Sequence, residues 1–171
     1  MALMDIIKKR YSCRSYVENK PVEQEKLDLI FQAARLAPSA KNLQDWRFVV
    51  VTDPDKKKQL AASTNRSEIF QKAAAIIAAC SVGDYVMTCG QHCAPIDVSI
   101  ALEHIALQAA EIGLATCWIG SFNPDVVRNV LQIPEKVAII ELMTLGYPAD
   151  STSGTKREPV ENIVCFNKWS F

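Results

Sequence analysis

Residues 96–113 carry the sequence IDVSIALEHIALQAAEIG, and this stretch is the most informative part of the chain. We predict a helix over residues 96–112, because Pro95 precedes it, Asp97 lies near its positive end and Gly113 follows it. Apolar residues cover nearly every face of this helix, which indicates burial on all sides. A single small domain has little room for such a helix, so we expect it to lie at a subunit interface.

Outside this helix, apolar patterns and turn residues predict the remaining elements. Helices are predicted over residues 4–10, 23–36, 54–62 and 124–131, and buried strands over residues 47–52, 73–82 and 137–145. Residues 116–120 form a short apolar segment, residues 149–155 a polar loop, and residues 163–166 a last strand. The elements do not follow a strict βαβ order, so we assign the α+β class. The length of 171 residues fits one domain over residues 1–171.

Composition excludes several classes of protein. The chain is 49% hydrophobic, which excludes a disordered protein, and its 19 basic and 19 acidic residues cancel, which argues against nucleic-acid or membrane binding. The longest apolar run, residues 73–80, is too short to span a bilayer, and no secretory segment opens the sequence. We therefore expect a cytoplasmic protein without a disulfide framework, although it has six cysteines.

One group of residues has the composition of a metal site. Cys89, His92 and Cys93 lie close together in sequence, but their spacing is not that of a standard zinc site and no fourth ligand is evident. We therefore favour a loop that happens to hold thiols, and expect no bound metal.

Two polar segments are candidates for binding a small molecule. Arg10, Tyr11, Ser12 and Arg14 offer two guanidiniums and two hydroxyls, a set suited to an anion, although the arginines could instead cap the end of a helix. Residues 37–46, APSAKNLQDW, form a loop rich in amides and hydroxyls that could bind the edge of a heterocycle or could simply be a turn.

A third candidate lies later in the chain. Residues 113–120, GLATCWIG, could lie against an aromatic ligand, with the basic pair Lys156 and Arg157 contributing from the C-terminal part; the alternative is a strand with a core tryptophan. No catalytic triad, P-loop or zinc-protease motif is present, and His104 within the apolar helix is interpreted as a core histidine. Few acid–base candidates beside several binding segments indicate chemistry carried by a cofactor.

Taken together, these motifs resemble the nitroreductase family. The resemblance rests on residues 10–14 (RYSCR), residues 37–40 (APSA) with Asn42, Gln44 and Trp46, residues 113–120, residues 146–148 (GYP) and residues 156–159 (KREP), in this order. It implies a mainly antiparallel sheet flanked by helices in an intertwined homodimer, with flavin mononucleotide (FMN) bound at the interface. It also implies reduction of nitro compounds, quinones or related acceptors by NADH or NADPH in a ping-pong mechanism.

The resemblance also assigns roles to residues. It places Arg10, Lys156 and Arg157 on the FMN phosphate, Ser12 and Arg14 near the ribityl chain and the pyrimidine edge, and Asn65 at the ring edge. The loop of the other subunit and the late apolar segment complete the expected FMN site: Tyr11, Pro38, Ser39, Ala40, Asn42, Gln44, Cys117, Trp118, Ile119 and Gly120.

Two departures from the family pattern lie at expected FMN-binding segments. Many relatives have Gln-Pro-Trp where this chain has Gln44-Asp45-Trp46, and Arg14 stands where some members have Lys. The chain is also short for the family, so the loops that shape an acceptor pocket are reduced and other functions stay open. A different flavin reaction on the same fold, such as reductive dehalogenation, is one alternative. A redox sensor that holds flavin or a metal through Cys89, His92 and Cys93 is another.

Overall fold

The computed structural model describes residues 2–150 and 156–171, so most of the loop predicted at residues 149–155 lies outside the described residues. It contains helices α1 (Leu3–Lys9), α2 (Gln24–Arg35), α3 (Pro54–Ala61), α4 (Ser67–Lys72), α5 (Cys93–Glu111) and α6 (Pro124–Leu131). The strands are β1 (Trp46–Val51), β2 (Ala75–Ser81), β3 (Ala115–Ile119) and β4 (Ala138–Gly146). No helix in the described part of the chain is long and apolar enough to cross a membrane.

The four strands form one sheet in the order β1-β2-β4-β3, and every pair is antiparallel. Helices cover both faces. One face packs against α2 and α5, and the other against α3, α4 and α6. The predicted α+β class and the antiparallel sheet flanked by helices are therefore confirmed.

Helix α5 begins three residues earlier than predicted and is buried differently. Pro95 occupies its first turn, where a missing N–H costs nothing because those groups have no partner within the helix. Ten of its residues are buried by the sheet, α2 and α1 within one chain. The apolar faces of α5 therefore do not by themselves require a subunit interface, and the expected interface at this helix stays a prediction. The sheet and α2 cover most of its surface, and a narrower stripe that includes Ile96 stays exposed.

The predicted strand at residues 163–166 is wrong. The C-terminal part has a single 3₁₀ turn, Val160–Asn162, followed by irregular chain. Residues 12 and 13 already pair with the outer edge of β3, so a further strand finds no free partner there. The tail is left exposed, with Phe166 at 82% and Trp169 at 83% of full accessibility.

Two short helices bury only one or two residues each. Helix α4 was not predicted, because residues 67–72 are a single polar turn and a half whose only clear signal is the pair Ile69 and Phe70. In α1 only Ile6 is buried, and Ile7 is exposed because one face of this short helix contacts α5.

Candidate functional site

The segment after α1 runs beside β3, and this pairing positions two candidate residues. The Cys13 amide donates to the Thr116 carbonyl at 2.9 Å, and Ser12 forms a parallel bridge with Thr116. Cys13 is fully buried and anchors the segment. Because side chains alternate along an extended chain, Ser12 and Arg14 on either side of Cys13 face outward.

A cleft of about 200 Å³ lies at the end of β3, and we call it the β3 cleft. Five predicted residues line it, together with three that the sequence did not single out: Arg14, Arg66, Ile69, Cys117, Trp118, Ile119, Gly120 and Ser121. Burial raises the pKa of the Cys117 thiol, and the guanidiniums of Arg14 and Arg66 oppose that rise. Two positive charges therefore act on the same point of the cleft from different elements.

A second, wider cleft of about 590 Å³ adjoins the first at Gly120 and Ser121, and we call it the open cleft. Asn65 lies in it, where the Ser121 hydroxyl donates to its Oδ1 at 3.5 Å. The Asn123 amide donates to the Ser63 carbonyl at 2.7 Å and joins the two walls. The open cleft therefore has a fixed polar rim next to the β3 cleft.

Arg10 and Tyr11 border a smaller hollow, of about 60 Å³, between α5 and the start of β3. The Arg10 Nε lies 3.5 Å from Glu103 Oε1 on α5, so this side chain does not cap its own helix. Burial raises the pKa of Glu103, and Arg10 opposes the rise. The Tyr11 hydroxyl donates to the Asp150 carbonyl at 2.8 Å, which links the segment after α1 to the segment after β4.

The predicted loop at residues 38–44 lies elsewhere, at the N-terminal end of α5. The Ala40 amide faces both carboxylate oxygens of the buried Asp97, at 3.2 and 3.1 Å. The Gln44 amide donates to Ser39 Oγ at 3.0 Å. The loop is thus more than an ordinary turn, since Lys41, Asn42 and Gln44 all hold a positive φ.

Within one chain, this loop lines neither the β3 cleft nor the open cleft, and its anchor on α5 lies far from the hollow. Asp97 and Ala110, which borders the hollow, are thirteen residues apart on α5, or about 20 Å along the helix axis. Ten predicted residues line neither the β3 cleft nor the open cleft: Arg10, Tyr11, Ser12, Pro38, Ser39, Ala40, Asn42, Gln44, Lys156 and Arg157. Lys156 and Arg157 lie on the exposed C-terminal part, where Arg157 Nη1 donates to the Lys156 carbonyl at 3.2 Å.

The cysteine and histidine group lies at the start of α5. His92 Nδ1 contacts the Asp84 carboxylate, and this contact lowers the pKa of Asp84. Cys93 is buried, whereas Cys89 is exposed. Over residues 2–150 and 156–171, no three histidine, cysteine or acidic side chains are placed to hold a metal ion.

Two further residues, His104 and Trp118, have structural roles. His104 was expected in the core but is half-buried; its ring nitrogen Nδ1 contacts the Ala33 carbonyl at 3.1 Å. Trp118 is half-buried, so it both packs on the core and lines the β3 cleft. The two interpretations of residues 113–120, a ligand-binding segment and a strand with a core tryptophan, are therefore compatible.

Comparison with known proteins identifies the family. The model of the nitroreductase family matches residues 7–67 and 61–147. The chain belongs to this family. A nitroreductase family protein of Clostridium difficile 630 superposes with a TM-score of 0.88 at 30% identity, covering 99% of this chain and 100% of its own.

Two further relatives carry more specific names. An FMN-dependent nitroreductase of Clostridium difficile R20291 superposes with a TM-score of 0.83 at 30% identity and covers 97% of this nitroreductase-family chain and 99% of its own. The oxygen-insensitive NADPH nitroreductase of Helicobacter pylori is 28% identical over 197 residues, covering 93% of this chain and 94% of the relative.

Sequence reasoning missed Arg66, the residue next to Asn65. Its backbone forms the N-cap of α4, and its side chain lines the β3 cleft. The available signal was a basic residue directly after a predicted site residue and before the apolar pair Ile69 and Phe70. Because α4 itself was not predicted, nothing in the sequence placed Arg66 at a helix end beside β3.

Proposed function

We propose that this protein is an FMN-dependent oxidoreductase that passes electrons from NAD(P)H to nitroaromatic, quinone or related acceptors. The observation that carries the proposal is the β3 cleft, in which Arg14 and Arg66 flank the exposed backbone of Gly120 and the indole of Trp118. Membership of the nitroreductase family and the names of its FMN-dependent and NADPH-dependent relatives support the same function.

The donor set of the cleft suits a flavin. Within the described residues, neither Arg14 nor Arg66 forms an ion pair, so both positive charges are available to an anionic or electron-rich ligand edge. The apolar surfaces of Ile69 and Trp118 suit a planar ring. Arg10 and Ser12 lie on the same segment as Arg14, which supports a phosphate site that continues from the β3 cleft along this segment.

When bound, FMN supplies a two-electron carrier that accepts hydride from NAD(P)H, gains negative charge and reduces the acceptor in turn. The residues of the chain act by position and charge. Arg14 and Arg66 provide fixed positive charge before the reaction starts, which favours the negatively charged product of reduction. Gly120 leaves its backbone open to the ring, and the open cleft provides room for the second substrate. Donor and acceptor then occupy one place in turn, a ping-pong order.

Two observations support a homodimer with sites at the interface. The loop at residues 38–44 and the β3 cleft are separated within one chain, so a partner subunit must supply the loop if both contact one ligand. The exposed tail residues also need cover, because soluble monomers rarely leave large apolar patches in water. Light scattering tests the assembly: we expect a dimer, and we expect Phe166→Ser with Trp169→Ser to weaken it. A stable monomer of 19.0 kDa that binds FMN would contradict it.

Absorption spectroscopy tests the function. We expect the FMN-loaded protein to lose its oxidised flavin bands on anaerobic addition of NADH or NADPH, and to regain them when a quinone or nitroaromatic compound is added. Parallel double-reciprocal plots would support the ping-pong order. Bleaching without reoxidation by these acceptors, but with reoxidation by a halogenated aromatic compound, would favour dehalogenation. Stoichiometric metal without flavin would favour the sensor.

A further inference from the structure

Glu141 is a carboxylic acid next to the proposed site that the function has not used. It lies on β4 opposite Ala79 of β2, and the neighbouring Leu142 pairs with Ile119, the last residue of β3. Gly120 follows Ile119 directly, so the chain leaves β3 beside Glu141. Since Gly120 lines both the β3 cleft and the open cleft, Glu141 lies directly behind the point where the two clefts meet.

A β-bulge lies next to Glu141. Ala79 pairs with Glu141 and Cys80 pairs with Ile139, so Ile140 is an extra residue in β4. Such bulges change the direction of neighbouring side chains and are frequent beside active sites. Here the bulge brings a carboxyl group into a strand whose following residues, from Leu142 to Leu145, are all buried.

The absence of a side chain at Gly120 leaves the Glu141 carboxyl group close to the cleft. Its oxygens would lie 3.5 and 3.6 Å from a Cβ atom placed on Gly120. The carboxyl group is half-buried, and its Oε1 accepts a hydrogen bond from the Leu142 amide at 3.2 Å. No salt bridge to Glu141 is found among the described residues. Its position is therefore that of an acid held beside the reaction site rather than of a structural ion pair.

Glu141 keeps its proton to a higher pH than an ordinary glutamate does. Burial raises its pKa, and the Leu142 amide opposes the rise. Glu141 also interacts with the Cys117 thiol and raises its pKa. The guanidiniums of Arg14 and Arg66 lower the pKa of the same thiol. Among the side chains that line the β3 cleft, arginine holds its proton at neutral pH and a thiol with a raised pKa is a poor acid.

We propose that Glu141 is the proton donor for reduction of the acceptor. This inference rests on the proposed function, in which the flavin lies along the β3 cleft and the acceptor takes the room of the adjoining open cleft. Reduction of a quinone takes up two electrons and two protons: NAD(P)H supplies the electron pair and one hydrogen as hydride, and one more proton is required. The O–H bond of the Glu141 carboxyl breaks, an O–H bond forms on the quinone oxygen, directly or through one water past Gly120, and solvent returns a proton to the carboxylate.

The test compares two acceptors that differ in their need for a proton. A quinone needs protons to form the hydroquinone, whereas ferricyanide takes up an electron alone. General acids contribute about a hundredfold or more to rate. We therefore expect Glu141→Gln, which keeps the shape but loses the acidic proton, to lower the ratio of quinone to ferricyanide turnover about a hundredfold in the FMN-loaded protein. Glu68→Gln, on the surface of α4, is the matched control and should leave the ratio at the parent value.

Gly120→Ala provides a second variant that keeps the carboxyl group. The added methyl would lie 3.5 Å from Glu141 Oε2, an ordinary contact, so the protein should fold. It would stand between the acid and the cleft, and we expect it to lower the same ratio. The Glu141 carboxyl itself can be followed by carbon NMR of the FMN-loaded protein, in which its titration midpoint should lie above the value of an ordinary glutamate, about 4.3.

The outcomes separate this inference from the proposed function. A parent protein that reduces neither acceptor would overturn the proposed function, and this inference with it. A parent protein that reduces both, with an unchanged ratio in Glu141→Gln, would overturn only the assignment of Glu141. An ordinary NMR midpoint for the Glu141 carboxyl would overturn it as well, because an acid already ionised at neutral pH has no proton to give.

Discussion

The substitution Asp97→Ala tests the role of the loop at residues 38–44 in flavin binding. Asp97 is only 6% exposed, and its carboxylate is the acceptor for the Ala40 amide. The loop that it holds contains Lys41, Asn42 and Gln44 with φ values of 51°, 56° and 54°. Left-handed backbone of this kind costs non-glycine residues about 1–2 kcal/mol each, so the loop keeps its shape only while such contacts hold it.

The size of the effect follows from the lost hydrogen bond. A hydrogen bond to a charged group contributes about 1.5–3 kcal/mol, so we expect the free energy of unfolding to fall by about that amount. If the loop contacts FMN in the partner subunit, the binding of FMN to Asp97→Ala must order the loop without this hydrogen bond. The binding free energy is then reduced by about the same amount. The dissociation constant of FMN should then rise about ten- to a hundredfold.

Urea denaturation of the apoprotein and FMN titration by fluorescence quenching measure the two effects separately. Asp53→Ala is a suitable control, because Asp53 Oδ1 caps α3 through the Lys56 amide at 2.8 Å. Asp53→Ala should lower the free energy of unfolding by about 1 kcal/mol and leave the FMN dissociation constant at the parent value. If Asp97→Ala lost stability but bound FMN as tightly as the parent, the loop would not belong to the flavin site.

Three further predictions follow from single residues. Arg14→Ala should lower the two-electron reduction potential of bound flavin by roughly 30–60 mV, the equivalent of a lost charge-assisted hydrogen bond. Arg10→Ala should mainly raise the FMN dissociation constant, by about tenfold or more. Potentiometry and FMN titration of both variants distinguish the two roles. Gly146→Ala should lower the free energy of unfolding by about 1–3 kcal/mol in urea, because its Cβ would lie 2.9 Å from Tyr16 Cδ1. The pKa of Glu141 is raised in the folded state, so the free energy of unfolding of the parent should fall as the pH rises above 4.5, whereas that of Glu141→Gln should not. Urea unfolding of both proteins at pH 4 and pH 7 measures the difference.

The elements that the sequence predicted well are those with strong local signals. The periodic apolar face of α2, the all-buried run in β2 and the Asn123-Pro124 start of α6 gave positions within two residues of those observed. Gly113, with a φ of 83°, ends α5 where a left-handed residue was expected. These features depend on neighbours along the chain, so the sequence alone carries them.

The features that escaped prediction depend on contacts distant in sequence. The burial of α5 depends on how the sheet and α2 pack against it. Whether residues 163–166 form a strand depends on which edge of the sheet has free hydrogen-bonding groups. Arg66 reaches the β3 cleft only because α4 brings it beside β3. Glu141 is a polar residue in an apolar strand, and only the bulge at Ile140 and the glycine at position 120 give it a place beside the cleft.

The central claim is that the β3 cleft holds the flavin ring. A crystal structure of the protein grown with FMN tests it most directly. We expect the ring along residues 117–120, with the guanidiniums of Arg14 and Arg66 at its edge and the loop at residues 38–44 of a partner subunit against its other side. Flavin density at another place on the chain, or a β3 cleft without flavin at saturating FMN, would contradict the account.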